Sequence, residues 1–166
     1  QPDAQILSKT AVQFKLTQLA SYAMEKNREA VTSTERLKTA VDLFLDSPDP
    51  SSQAHLQAAW KEAHQAYLNN QIGLFSDTKT NSDLQFSIDA WPIQPGFLDS
   101  LPAYPDSGII NDITLNIDLP TLIQQHGITD SEEVCLGFHA LEYLVFERDL
   151  ADFMPAQSTP KNVAET

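Results

Sequence analysis

The chain has 166 residues, 42% of them hydrophobic, enough for one compact domain with its own core. Its apolar runs are only a few residues long, far short of the ~20 that a membrane-spanning helix requires, and a single cysteine, Cys135, excludes an internal disulfide. The net charge of −13 is uneven, with eleven acids and no Lys or Arg between residues 81 and 147, a surface that repels phosphate backbones and argues against nucleic-acid binding.

In chain order, residues 3–45 predict a long helix. Leu7, Ala11, Phe14, Leu19, Tyr22, Leu37, Ala40 and Phe44 recur at threes and fours with no Gly or Pro between them. Ser33-Thr34-Glu35 marks a possible break, because Ser and Thr compete for backbone bonds. Ser47-Pro48-Asp49-Pro50 ends this helix and starts a second, with Asp49 as N-cap and Pro50 at the first helical position. The second helix runs to about Asn70 and carries Ala59, Trp60, Ala63, Tyr67 and Gln71 along one side, joined by His64. Residues 76–118 hold Pro92, Pro95, Pro102 and Pro105 together with Gly96 and Gly108, which forbid a long helix. They also hold enough large apolar residues to pack, so an ordered excursion with short turns of helix is expected. A short helix over residues 119–126 stops at Gly127. The last strong helix is expected to start at Thr129-Asp130-Ser131-Glu132, a capping-box sequence, and to run past Phe146. These elements predict an all-α, up-and-down bundle with a long ordered loop between the second and last main helices. Residues 1–154 form the bundle domain and residues 155–166, with Pro155 and Pro160, a linker or tail.

Chemistry concentrates in Gly137-Phe138-His139-Ala140-Leu141-Glu142. A His and a Glu three apart on a helix share a face, so His139 and Glu142 can converge on a metal ion. No other His-x-x-Glu or Glu-x-x-His occurs in the chain. Gly137 costs about 1 kcal/mol relative to alanine inside a helix, so a close approach of another element is expected there. The flanking residues are apolar nearly all round, which predicts a buried helix whose carboxylate needs a partner or a cation. Asp89, just before Trp91-Pro92, and His64 are secondary candidates. Trp60 and Trp91 are read first as core residues, and so is Cys135, although its spacing of four from His139 would let it serve as a soft ligand. The acidic stretch either solubilises the surface or raises the local cation concentration.

The Gly-x-His-x-x-Glu motif at Gly137, His139 and Glu142 resembles that of the imelysin family of bacterial envelope proteins. Ile88-Asp89-Ala90-Trp91-Pro92, the following PGFLDSLPAYPDSGIIND stretch, and the Ala59-Trp60 pair with Tyr67 agree in kind and order, over roughly residues 56–148. The resemblance implies a helical protein of two bundle-like halves, of which this chain is the first. It also implies export to the periplasm or outer membrane behind a signal peptide, a link to iron acquisition, and a metallopeptidase label. The start at Gln1 fits a processed secreted protein or a trimmed chain. His64 stands where the resemblance leads one to expect an arginine, and Gln71 where a glutamate is common. The function expected is metal binding, of iron or zinc, by His139 and Glu142 in an accessory of bacterial iron uptake. The partners would be the metal ion and a second helical domain or another envelope protein. The alternatives are a metallopeptidase and a protein-binding module without metal. An enzyme is disfavoured because only two candidate ligands are visible and His-Glu-x-x-His is absent, whereas a catalytic zinc site takes three ligands, an open position and a base.

Overall fold

The computed structural model describes residues 8–71 and 78–154, so the tail expected over 155–166 lies outside the described residues. The first helix, α1, spans Lys9–Asp46 and begins at Ser8, whose Oγ accepts the Ala11 N–H at 3.2 Å. It runs without a break through Ser33-Thr34-Glu35. There Thr34 Oγ1 donates to the Ala30 carbonyl at 2.8 Å, so the hydroxyl is satisfied inside the helix instead of competing with it. Helix α2, Pro50–Asn70, starts as the sequence predicts. The Asp49 carboxylate accepts the Ser51 and Ser52 N–H groups at 2.7 and 2.8 Å, Ser52 Oγ accepts the Asp49 N–H at 3.0 Å, and Pro50 opens the first turn.

The two helices pack through Leu37, Ala40 and Phe44 against Leu56, Trp60, Ala63 and Tyr67, and Phe138 and Val145 complete this core. At ~1.5 Å per residue, α1 is about 57 Å long and α2 about 32 Å. The buried residues of α1 begin only at Ala30, and its first half leaves Phe14, Leu16, Leu19 and Met24 exposed.

Residues 78–89 correct the expectation of scattered helical turns. They form a regular helix, α3, Thr78–Asp89, because the first proline lies beyond it at position 92. The ordered excursion follows, stitched by its own backbone: Leu101 and Tyr104 exchange N–H···O bonds of 3.2 and 2.9 Å, and Ile109 N–H donates to Phe97 O at 2.7 Å. Leu98 and Ile109 join Cys135 and Ala140 in a second, smaller core. Helix α4, Leu119–Gln125, is capped by Asp118 and is followed by Gly127 at φ +67°, as the sequence predicts.

The last helix does not start at Thr129. The predicted box does not form: Thr129 N–H and Oγ1 donate to the Glu133 carboxylate at 2.6 and 2.7 Å, one position beyond Glu132, and these bonds close a turn. The carbonyls of Glu132 and Glu133 accept from Gln94 and Gly127, so they are not available to continue a helix. Helix α5 is therefore short, Gly137–Glu142, and passes into a π-helical turn over Tyr143–Glu147. The Val145 carbonyl of that turn is taken by the side-chain amide of Gln57 at 3.1 Å. No strand occurs among the described residues, so the architecture is the all-α bundle expected. No described helix is long and apolar enough to cross a membrane.

Candidate metal centre

Gly137 builds the site by what it lacks. Its φ is +85°, and a Cβ on it would overlap the Ile88 carbonyl oxygen and lie 2.6 Å from its carbon. The C-terminal end of α3 thus rests directly on the first residue of α5, which glycine alone permits without strain. Asp89 follows Ile88 by one residue and His139 follows Gly137 by two, so this backbone contact brings a carboxylate and an imidazole together from positions 50 residues apart.

The third member comes from α2. His64 Nε2 lies 2.8 Å from Asp89 Oδ1, and His139 Nε2 lies 3.4 Å from the same oxygen. One ligand atom from each of His64, Asp89 and His139 fits within 4.8 Å of the others. All three side chains are about one-sixth exposed, at 16%, 16% and 17%. Glu142 does not join this set. Its Oε2 is 2.7 Å from His139 Nδ1, which leaves Nε2 as the nitrogen facing Asp89. A carboxylate on one ring nitrogen with the other nitrogen turned inward is the usual support of a metal-ligating histidine.

Aromatic rings frame the cluster. Trp60 is buried, as expected, and its Nε1–H donates to the Phe138 carbonyl at 2.8 Å. Its ring centroid is 4.9 Å from that of His64, and Phe138 is also 4.9 Å from His64. Trp91 is not a core residue. It is 66% exposed, with its centroid 4.8 Å from the His139 ring, because Ala90 takes the buried position where α3 ends and the indole next to it turns outward. Tyr67, one turn beyond His64, is buried, and its hydroxyl has no hydrogen-bond partner among the described residues. Burial, and then the charge of Asp89, push its phenol above the ordinary range. Cys135 precedes α5 and sits in the small core. It donates its thiol to Leu122 O at 3.3 Å, and burial pushes that thiol up to about 11.

The imelysin family model, of peptidase family M75, matches residues 19–164. The chain belongs to the imelysin family. No curated protein matches it.

In this imelysin-family chain the cluster lies beside a cleft of about 720 Å³ whose wall includes Trp60, Trp91, His139 and Glu142. A second polar assembly steadies that cleft, and sequence reasoning did not single it out. Asp99 is buried yet charged. Burial alone would raise its carboxyl, but bonds from Ser100 N–H, Arg148, Asn111 and Tyr143 outweigh it and hold the group below the ordinary carboxylate range. Ser100 N–H and Asn111 Nδ2 donate to Oδ1 at 2.7 and 3.1 Å. Tyr143 Oη donates to Oδ2 at 3.0 Å, and Arg148 pairs with the same oxygen. Asp99 thereby ties the excursion to the segment after α5. Its only sequence signal was an isolated acid in the Leu98-Asp99-Ser100-Leu101 stretch.

Proposed function

We propose that this imelysin-family chain binds one transition-metal ion, iron or zinc, through His64, Asp89 and His139, with Glu142 orienting His139. The observation that carries this reading is the convergence of those three donors from α2, α3 and α5. Ligands at ~2.0–2.2 Å from a tetrahedral zinc lie about 3.4 Å apart. The His139–Asp89 separation of 3.4 Å already has that value, and the His64–Asp89 separation of 2.8 Å is that of a hydrogen bond, which opens by about half an ångström when a cation replaces the proton. Two imidazoles and one carboxylate suit iron(II) and zinc alike. Glu142, placed first as a ligand from its spacing, is assigned the orienting role on its bond to Nδ1.

Isothermal calorimetry with zinc and with iron(II) tests the reading. Asp89→Asn and His139→Ala each weaken binding at least tenfold, and Glu142→Gln weakens it by about 10- to 100-fold. Unchanged affinity in a His64→Ala, His139→Ala double variant would sink it. Family membership supports the wider proposal that the chain is exported to the cell envelope and serves iron uptake there, which fractionation and growth under iron limitation would test.

A metallopeptidase is the second reading. It is favoured by the open cleft beside the three-donor set, which His139 lines and on whose wall the Glu142 side chain is 38% exposed. A metal held there would supply Lewis acidity and Glu142 a base. Cleavage of unfolded substrates that chelator stops and Glu142→Gln abolishes would establish it. Cleavage indifferent to both would remove it.

A further inference from the structure

The cleft beside the cluster is larger and less polar than a hydrated ion needs. Its volume of about 720 Å³ falls within the ~300–1,000 Å³ typical of small-molecule sites, which are mostly apolar with a few placed polar groups. His139 and Glu142 line it beside the metal cluster, while Ile93, Leu98, Leu101 and Phe146 provide apolar wall.

The two tryptophans differ in a way that bears on the occupant. Trp60 forms the back wall, buried and anchored through Nε1 to the Phe138 carbonyl. Trp91 is held two-thirds in water, although an indole is among the largest apolar surfaces a protein can bury. It is not a loose surface residue. Ala90 before it is buried, and the chain just beyond is pinned by the Gln94 N–H to Glu132 O bond of 2.7 Å. Its open surface adjoins both the cleft and the His139 ring.

Charge narrows the class of ligand further. Glu142 and Glu147 lie on the cleft wall against Lys61, whose Nζ sits 5.3 Å from the Phe146 ring centroid. Asp99 is already matched by Arg148. The wall is thus net acidic, which disfavours a polyanion.

We propose that the cleft is a subsite for a ring-bearing metal chelator of low charge, whose coordinating head meets the metal at His139 and whose aromatic ring packs against Trp91. This rests on the metal reading above. Its ligand is a small chelate and not the bare ion, and the site would select among chelates by their apolar part.

The test compares benzohydroxamate with acetohydroxamate, which share a coordinating head and differ in the ring, on the full chain at saturating zinc. The protein has two tryptophans, Trp60 and Trp91, and both line this cleft, so intrinsic fluorescence reports binding directly. Wild type should bind benzohydroxamate about tenfold or more tightly, the gain expected from removing a phenyl ring from water. In Trp91→Ala that ratio should fall below about threefold, and Trp91→Phe should restore most of it. Reading the ratio at saturating zinc cancels any change in metal affinity. Equal binding of the two hydroxamates to wild type overturns the subsite and leaves the metal reading standing. A preference that survives in Trp91→Ala overturns the assignment to Trp91. Failure of zinc to bind overturns the metal reading and the subsite with it, whereas hydroxamate binding unaffected by removing zinc overturns the subsite alone.

Discussion

Replacing Gly137 with alanine tests the site at its structural root. The added Cβ would overlap the Ile88 carbonyl oxygen, 2.6 Å from Ile88 C and 2.9 Å from Ser87 O. These are backbone atoms that cannot rotate away, so the end of α3 must move by about an ångström, at the roughly 1–3 kcal/mol typical of overpacking. A non-glycine residue at φ +85° adds about 1–2 kcal/mol of strain. The sum, about 2–5 kcal/mol, lowers the melting midpoint by roughly 5–15 °C for a domain of this size. The functional effect follows from the same displacement. Asp89 moves with Ile88, the 3.4 Å His139–Asp89 separation opens, and metal affinity falls at least tenfold. Gly127→Ala is the control. Its φ is also positive, at +67°, but its Cβ would meet the Phe86 ring at 2.6 Å, a side chain that can yield. It should lose stability yet keep its metal affinity within about twofold. Thermal melts and calorimetric titrations of both variants decide the matter. A Gly137→Ala protein with the wild-type midpoint and metal affinity would refute the argument that this contact assembles the site.

His64→Arg should supply an internal cation in place of the metal. A guanidinium that pairs with Asp89 should leave the chain folded by circular dichroism and reduce metal binding by about 100-fold or more, measured by calorimetry. Asp99 has a depressed folded-state pKa, so its contribution is complete above the ordinary carboxylate range and is lost as pH falls below about 4. Asp99→Asn should cost about 2–4 kcal/mol at pH 7 by leaving Arg148 without that partner. It should also show a flatter acid limb in urea melts than wild type. For Cys135, burial raises the thiol from 9.0 to about 11. The unfolded chain therefore ionises first, and stability falls as pH rises from about 9 towards 11. At pH 8 a thiol reagent such as Ellman's should modify the native protein on the order of 100-fold more slowly than the urea-unfolded one.

The helical periodicity and the Asp49-Pro50 start were legible because they depend on residues within a turn or two of each other. Asp49 meets Ser51 and Ser52 whatever the rest of the chain does. The start at Thr129 misled for the complementary reason. Thr129 pairs with Glu133, one position beyond the Glu132 of the predicted box, Gln94 and Gly127 claim the carbonyls that a helix would need, and no local pattern encodes those partners. Trp91 misled likewise, since an indole is normally buried and only the position of Ala90 at the end of α3 turns it outward.

By itself, the sequence determined the all-α class, the long hairpin of the first two helices, and the motif that draws attention to Gly137, His139 and Glu142. It led to the expectation of a close approach at Gly137 by placing that glycine inside a helix; the approach is there, although Gly137 opens α5 at φ +85°. It could not say what approaches. Only the tertiary structure decided that Ile88 fills that space, that Asp89 and His64 join His139 across gaps of 50 and 75 positions, and that Glu142 supports a ring nitrogen. Spacing along one helix fixes which side chains share a face, whereas the identity of the facing donors depends on how separate helices pack. In this chain the packing turns on the missing Cβ of Gly137.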